Sequence, residues 1–252
     1  MDAEKNLLNF ENRKKGVYLL PSLLTTAALF SGFYSIVAAI SGNFSLAALG
    51  IYVAMLFDGI DGRVARILKA ESNFGKEYDG LSDMLCFGIT PAIVIFQWGF
   101  DTLSTLGSDF LRLGWISAFI FTVCAACRLA RFNANHNIID KKFFQGLPSP
   151  PAASCIAAIA WLSEIYNFPN LLIVFLALTV PTVLGLTMIS NIKYYSFKDF
   201  ILMERIPFAK FIFIPLILAV VAINPPVILL ILFLSYFFFA PLFLREKKNS
   251  QR

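Results

Sequence analysis

Charged residues are scarce in this 252-residue sequence, because Asp, Glu, Lys and Arg together make up only 15% of it. Hydrophobic residues make up 58%, which is far more apolar surface than one water-soluble domain of this length can bury. Uninterrupted apolar runs of about twenty residues recur along the chain, as they do in transmembrane helices. The composition therefore argues against a soluble domain and predicts an integral membrane protein.

Histidine and cysteine are sparse as well. The single histidine, His136, is interpreted as a solvated loop residue rather than as a catalytic base. All four cysteines lie in apolar segments, and the C-x-x-C pair formed by Cys124 and Cys127 has no second pair to accompany it. This distribution argues against a zinc or redox centre and favours cysteines that pack as small apolar residues.

Eight apolar segments predict an all-α fold, a polytopic membrane helical bundle with about eight transmembrane helices. Residues 1–16 are charged with scattered leucines, which is typical of an interfacial helix on the membrane surface. The approximate limits of the eight segments are 18–40, 44–66, 78–100, 112–132, 149–166, 170–190, 208–223 and 226–244.

The basic residues fall almost entirely on one side of this membrane map. With the N-terminus placed in the cytoplasm, 20 of the 21 Lys and Arg residues lie on the cytoplasmic side, and only Arg112 lies opposite. This asymmetry follows the positive-inside rule and supports eight spans with both termini in the cytoplasm. It also explains the net charge of +5 without a nucleic-acid partner.

Four aspartates stand at the cytoplasmic ends of the second and third predicted spans. Asp58 and Asp61 are three residues apart, and Asp79 and Asp83 are four apart, so each pair shares one helix face. Four unpaired carboxylates would cost roughly 10 to 14 kcal/mol within the membrane, at about 2.5 to 3.5 kcal/mol each. Some positive charge must therefore compensate them.

Two sources of that charge are open. Neighbouring basic side chains could neutralise the acids in an interfacial salt-bridge network. The candidates for this network are Arg63, Arg66, Lys69 and Lys76. Alternatively, the carboxylates bind hard divalent cations such as Mg²⁺ or Mn²⁺, which leave coordination positions for substrate phosphates. Gly59, Gly62 and Gly80 favour cations, because they remove side-chain bulk where a ligand must come close.

The stretch from 58 to 83 resembles the signature of the CDP-alcohol phosphatidyltransferase family, D-x2-D-G-x2-A-R-x8-G-x3-D-x3-D, in residue type and spacing. The eight fixed positions are Asp58, Asp61, Gly62, Ala65, Arg66, Gly75, Asp79 and Asp83. The resemblance implies a site for two ions, Mg²⁺ or Mn²⁺, held by the four aspartates, with Asp83 also acting as the catalytic base. It further implies that CDP-diacylglycerol binds beside Thr25, Gly62, Ala65, Arg66 and Gly75.

Three later motifs resemble the serine-using, membrane-embedded branch of this family, the phosphatidylserine synthases. They begin at Arg128, Phe144 and Ser190, and each lies at a predicted cytoplasmic span end. Ser82 and Thr90 depart from the family pattern, since alanine is usual at both positions. The resemblance implies transfer of the phosphatidyl group from CDP-diacylglycerol to L-serine, which gives phosphatidylserine and CMP.

The same resemblance divides the chain into the interfacial segment, a catalytic core over 17–200 with about six transmembrane helices, and residues 201–252 with two further helices and a basic tail. It implies a homodimer, and the distribution of basic residues places the active site at the cytoplasmic face. The expected location is the cytoplasmic membrane of a prokaryote. The candidates for binding the serine carboxylate or a substrate phosphate are Arg128, Arg131, Ser196 and Lys198. Ordinary membrane anchoring is the alternative for these basic residues.

Two other functions stay open at this point. Another acceptor, such as glycerol 3-phosphate or inositol phosphate, would bring an extra phosphate group to the same site. An ion-coupled transporter would use the acids as a cation path, but it predicts a site at the bilayer midplane and paired repeats. The acids instead cluster toward one face, and no repeat is visible.

Overall fold

The computed structural model describes the backbone of residues 2–134, 143–195 and 219–249, and the side chains of residues 19–134, 145–194 and 219–239. The helices are α1 (Asp2–Ile40), α2 (Phe44–Ile67), α3 (Asn73–Asp83), α4 (Thr90–Thr105), α5 (Ser108–Ala134), α6 (Ser149–Tyr166), α7 (Asn170–Ile189) and α8 (Pro225–Asn249). A π-helical turn, Met84–Ile89, joins α3 to α4 without a break. Two short strands, β1 (Phe143–Gln145) and β2 (Lys193–Tyr195), form an antiparallel pair.

Five helical segments within the described residues are long and apolar enough to cross a bilayer. They are Leu19–Ile40, Phe44–Ile67, Asn73–Thr105, Ser108–Ala134 and Asn170–Ile189. They confirm the all-α class and the first, second, third, fourth and sixth predicted spans. Large apolar side chains on their outer faces are open to the surroundings, as with Phe30 at 69% and Leu171 at 84% exposure, which suits contact with lipid rather than water.

The remaining predicted spans have different outcomes. The fifth, 149–166, coincides with α6, but α6 is not among the five apolar segments. The seventh lies mostly outside the described residues, and the eighth matches α8, in which Pro225–Phe239 forms a shorter apolar stretch. Helix α1 runs unbroken from Asp2, so no break separates residues 1–16 from the first span. The total of eight spans, the surface helix at 1–16 and the division at residue 200 stay predictions.

Helix α6 lies inside the bundle, with most of its side chains buried. It packs against α2, α4 and α8, and the side chains of Ala152, Ala153, Ala157 and Ala160 are completely buried. Small residues let helix backbones approach closely, and they carry less apolar area than the leucines and phenylalanines that face lipid. The alanine-rich sequence of α6 therefore suits a helix that packs against three others.

A row of small polar side chains ties the third span to α1. Ser82, Cys86 and Thr90 follow one another at intervals of four residues, so they share a helix face. They donate hydrogen bonds to the α1 carbonyl oxygens of Thr25, Ala28 and Gly32, at 3.4, 3.3 and 3.3 Å respectively. These bonds fix the height of α1 against the helix that carries Asp79 and Asp83.

The strand pair joins two of the motifs that the sequence singled out, those beginning at Phe144 and Ser190. The register pairs Phe144 with Tyr194, and the amide of Gly146 donates to the carbonyl oxygen of Ile192 at 2.8 Å. Gly146 has a φ of +80°, and a Cβ at this position would overlap the carbonyl oxygen of Met188. The loop that leads into α6 is thereby attached to the end of α7.

Replacing Gly146 by alanine tests this attachment. We expect Gly146→Ala to lower the free energy of unfolding by about 3 kcal/mol, since left-handed backbone costs an alanine about 1–2 kcal/mol and overpacking adds a comparable amount. Thermal unfolding of the detergent-solubilised protein measures the effect. The matched control is Gly42→Ala, because Gly42 also has a positive φ, of +78°, but no described atom lies within 4 Å of a Cβ there. Equal losses of stability in the two variants would contradict the predicted overlap.

Candidate metal centre

A tight turn between α2 and α3 brings the two pairs of aspartates together. Lys69 adopts a left-handed backbone conformation with φ of 50°, and the amide of Ala70 donates to the carbonyl oxygen of Ala65 at 2.8 Å. The hydroxyl of Ser72 then accepts the amide of Gly75 at 3.0 Å and so caps the start of α3. This arrangement ends one helix and begins the next within six residues, so that α3 returns alongside α2.

Three aspartates converge on one point. Asp58, Asp61 and Asp79 each offer a carboxylate oxygen, and these three oxygens lie within 4.8 Å of one another. Asp61 is buried, with 4% of its surface exposed, whereas Asp58 and Asp79 are half-buried. The predicted convergence of the acids from α2 and α3 is therefore confirmed for these three residues.

The hydroxyl of Thr25 on α1 orients the buried aspartate. It donates a hydrogen bond to Oδ2 of Asp61 at 2.7 Å, and Thr25 itself is 4% exposed. A donor that fixes one carboxylate oxygen leaves the other free to act as a ligand, as outer hydrogen bonds do at metal sites. Thr25, proposed from the sequence as part of the lipid-substrate site, thus contacts the candidate metal ligand Asp61 directly.

The salt-bridge explanation for the acids fails within the part of the chain that the structure describes. The one ion pair within 4.0 Å among those residues joins Arg112 to Asp109 at 3.3 Å, at the opposite end of the bundle. The basic side chains proposed for the network are all exposed; they are Arg63, Arg66, Lys69 and Lys76. Arg66 instead donates its Nε to the carbonyl oxygen of Gly62 at 3.0 Å. Among the described residues, none of the four aspartates forms an ion pair within 4.0 Å.

The residues present fit a divalent cation. Oδ1 of Asp79 is buried and has no hydrogen-bond partner among the described residues. A buried carboxylate oxygen of this kind is expected where the oxygen coordinates a cation. Carboxylate oxygens are the donors that hard ions such as Mg²⁺ and Mn²⁺ prefer. A Cβ at Gly59 or Gly62 would meet no described atom within 4 Å, so protein packing does not require glycine at either position. Space therefore remains beside the acids for a ligand.

The fourth aspartate, Asp83, interacts with one member of this cluster and with the charge of an arginine. Its carboxyl group lies within hydrogen-bonding reach of Asp58, and it is near enough to Arg128 on α5 for the opposite charges to attract. Arg128 donates from Nη1 to the hydroxyl of Ser149 at 3.1 Å. Two further guanidinium nitrogens, Nε of Arg128 and Nη1 of Arg131, are buried without a hydrogen-bond partner in the described portion of the chain.

The other predicted site residues have mixed positions. The carbonyl of Ala65 near the end of α2 and the amide of Gly75 in the first turn of α3 make hydrogen bonds of the connecting turn. Gly62 and Arg66 of α2 are exposed. Ser196, Lys198 and His136 lie outside the described residues. The sequence did not indicate that Ser149 contacts Arg128; its position within the Pro-Ser-Pro-Pro motif was the available signal.

Comparison with known proteins agrees with this geometry. The profile of the CDP-alcohol phosphatidyltransferase family matches residues 18–184. The CDP-diacylglycerol–serine O-phosphatidyltransferase of Helicobacter pylori is 36% identical over 182 residues, which cover 72% of this chain and 74% of that protein. The protein of the same name from Methanocaldococcus jannaschii is 35% identical over 164 residues, which cover 65% of this chain and 69% of that protein. The protein of the same name from Saccharomyces cerevisiae is 36% identical over 148 residues, which cover 52% of this chain and 50% of that protein.

Removal of the Thr25 hydroxyl tests whether it serves a metal ligand. We expect Thr25→Val to weaken Mn²⁺ binding by about 10- to 100-fold, the usual effect of losing a hydrogen bond to a ligating carboxylate. Electron paramagnetic resonance titration of the purified protein measures this affinity without turnover. The matched control is Thr26→Val, since the exposed hydroxyl of Thr26 bonds to Tyr78 at 3.0 Å and not to an acid. Wild-type Mn²⁺ affinity in Thr25→Val would rule out the predicted role.

Proposed function

This chain belongs to the CDP-alcohol phosphatidyltransferase family, and from that premise we propose that it transfers the phosphatidyl group of CDP-diacylglycerol to L-serine, releasing CMP and phosphatidylserine. It is an integral membrane protein with five apolar helices in its described part. The names of the relatives from bacteria, archaea and yeast support serine as the acceptor.

The observation that carries the proposal is the convergence of Asp58, Asp61 and Asp79. Their oxygens lie within 4.8 Å of one another, in a helical bundle where the described residues supply no ion pair to them. Such a cluster is costly unless a cation occupies it. Because the cluster lies at the ends of two apolar helices, a cation bound there would hold a charged lipid headgroup at the membrane surface.

We assign two divalent cations, Mg²⁺ or Mn²⁺, to these three aspartates together with Asp83. When bound, such ions neutralise phosphate charge and act as Lewis acids. The unpartnered Oδ1 of Asp79 and the orienting hydrogen bond from Thr25 to Asp61 both support this assignment.

Asp83 is proposed as the base of the transfer step. The proton of the serine hydroxyl passes to its carboxylate as the serine oxygen forms a bond to the phosphorus that bears diacylglycerol. The bond from that phosphorus to the bridging oxygen breaks, and CMP leaves with the electron pair. The interactions of Asp83 with Asp58 and with the charge of Arg128 support its place beside the acceptor.

Arg128 and Arg131 are proposed to bind the acceptor carboxylate or a substrate phosphate. Each guanidinium has a buried nitrogen with no hydrogen-bond partner in the described part of the chain, which an ordinary membrane anchor would not need. The planar fork of arginine matches a carboxylate through parallel hydrogen bonds. Ser196 and Lys198 stay candidates from the sequence for the same role.

CDP-diacylglycerol is proposed to enter from the inner leaflet, with its acyl chains in lipid and its headgroup at Gly62, Ala65, Arg66 and Gly75. The open space at Gly62 supports a ligand on that side of α2. The hydrogen bond from Thr25 to Asp61 supports an indirect part for Thr25 in binding. The proposal also includes location in the cytoplasmic membrane, a site that faces the cytoplasm, and a homodimer. The one-sided distribution of basic residues supports the orientation of the site, and the family resemblance supports the homodimer.

Substitution of Asp83 tests the base. We expect Asp83→Asn to reduce formation of phosphatidylserine by about 10²- to 10⁴-fold, the usual contribution of a general base, while the protein stays folded and still binds CDP-diacylglycerol. Radiolabelled serine incorporation measures turnover, and thermal unfolding checks the fold. Asp109→Asn is the matched control, because Asp109 is exposed and pairs only with Arg112 among the described residues. Wild-type turnover in Asp83→Asn would exclude the base role.

A competition assay tests the acceptor. With purified protein, CDP-diacylglycerol and Mn²⁺ or Mg²⁺, we expect CMP release to require L-serine and to stop when the ions are chelated. Glycerol 3-phosphate and inositol phosphate should support less than about one-hundredth of the serine rate, because a site built for one acceptor penalises another by several kcal/mol. CMP release that depends on either phosphorylated alcohol would replace serine as the acceptor.

A further inference from the structure

Helix α1 packs against both α2 and the third span, and a buried glycine lies at each contact. A Cβ at Gly32 of α1 would lie 2.8 Å from Sγ of Cys86 and 3.3 Å from its Cα. This sulfur is not free to turn aside, because it donates to the carbonyl oxygen of Ala28 at 3.3 Å. A Cβ at Gly50 of α2 would lie 2.8 Å from Cβ of Ser35 on α1. Both neighbours therefore approach α1 as closely as a glycine allows.

The hydroxyl of Thr25, about two helix turns before Gly32, has two possible acceptors for its one proton. Oγ1 lies 2.7 Å from Oδ2 of Asp61 on α2 and 3.1 Å from the carbonyl oxygen of Pro21. The shorter distance and the charge of the carboxylate favour Asp61. The bond to Asp61 joins two helices, so it depends on the position of α1. The bond to Pro21 lies within α1 and does not.

The bond between Thr25 and Asp61 tolerates little movement of α1. Hydrogen bonds between oxygens are about 2.5 to 3.0 Å long, so a displacement of about 0.3 Å takes this 2.7 Å bond to its limit. A methyl group at Gly32 would need about 0.6 Å more room, to increase its distance from Sγ of Cys86 from 2.8 Å to an ordinary 3.4 Å. Because the contact at Gly50 is already tight, α1 cannot gain this room by moving onto α2. It has to tilt or slide against both neighbours.

We propose that Gly32 is a positioning residue of the metal centre: the close helix contact that it permits keeps the Thr25 hydroxyl on Asp61. The inference rests on the proposed function, because it assumes that the converging aspartates bind a divalent cation. When α1 is displaced, the hydroxyl turns to the carbonyl oxygen of Pro21, and Asp61 loses the donor that orients it. A carboxylate without its orienting donor binds a cation less tightly.

Gly32→Ala tests the proposal through Mn²⁺ binding, which needs no turnover. We expect the Mn²⁺ affinity to fall by about tenfold, the lower end of the effect of losing a hydrogen bond to a ligating carboxylate. Electron paramagnetic resonance titration of the purified protein measures the affinity, and thermal unfolding checks the fold. The matched control is Gly99→Ala, because a Cβ at Gly99 would lie 2.8 Å from Cβ of Ala177, an equally tight contact toward the other end of the third span. Wild-type Mn²⁺ affinity in folded Gly32→Ala, or an equal loss in Gly99→Ala, would overturn the proposal.

An exchange of sizes across the contact is the second variant, and it decides by itself if Gly32→Ala does not fold. In Gly32→Ala/Cys86→Ala, the removal of the sulfur makes room for the new methyl group. We expect the Mn²⁺ affinity of this double variant to lie within threefold of wild type. A tenfold loss would overturn the proposal, because the overlap with Sγ would then not control the metal centre.

A further double variant, with Thr25→Val, shows whether Gly32 acts through the Thr25 hydroxyl. Once that hydroxyl is absent, Gly32→Ala should weaken Mn²⁺ binding by less than a further twofold, because the two changes remove the same interaction. A further tenfold loss would overturn the proposal, since the displacement of α1 would then reach the aspartates by another route.

The two levels of inference fail in different ways. If the wild-type protein does not bind Mn²⁺, the metal assignment and the role of Gly32 are both rejected. If it binds Mn²⁺ but uses an acceptor other than L-serine, the serine activity is rejected, and the Mn²⁺ comparisons still decide the role of Gly32. If it binds Mn²⁺ and uses serine, but Gly32→Ala binds Mn²⁺ as Gly99→Ala does, the activity stands and the role of Gly32 is rejected.

Discussion

Negative charge placed among apolar helices, with no ion pair to it from the described residues, is the constraint on which the rest of this structure depends. Asp58, Asp61 and Asp79 bring three carboxylate oxygens within 4.8 Å, and their repulsion opposes folding unless a cation joins them. The surrounding structure keeps them in place. The capped turn at Ser72 aligns α3 with α2, and the bonds from Ser82, Cys86 and Thr90 hold α1 at the height where Thr25 meets Asp61. The capped turn and these hydrogen bonds thus hold together three carboxylates that would otherwise repel one another.

Much of this arrangement could be predicted from the sequence, because its signals are local. Apolar runs fix five spans, and the spacing of the aspartates fixes which of them share a helix face. The contact between Arg128 and Ser149 was beyond such reasoning, since the two residues are 21 positions apart and no periodic pattern relates them. The strand pairing of Phe144 with Tyr194 was missed for the same reason, because two three-residue strands leave no alternation to detect.

Ser82 and Thr90 show how a departure from the family pattern gains a physical meaning only in three dimensions. In the sequence they are polar residues where alanine is usual. In the structure each hydroxyl meets a carbonyl oxygen of α1, so neither is an unsatisfied polar group within the bundle. Cys86 between them makes the same kind of contact, which the sequence indicated only as apolar packing.

The π-helical turn Met84–Ile89 has a consequence for how the third span could change over evolution. A π-turn accommodates about one residue more than an α-turn, and each residue of an α-helix rotates the following face by about 100°. The turn therefore sets the angle between the face that carries Asp79 and Asp83 and the face that buries Trp98. Losing a single residue here would make the helix more regular, yet it would turn either the acids or the tryptophan toward lipid. Insertions and deletions are consequently tolerated far less at this turn than at the loops beyond the helix ends.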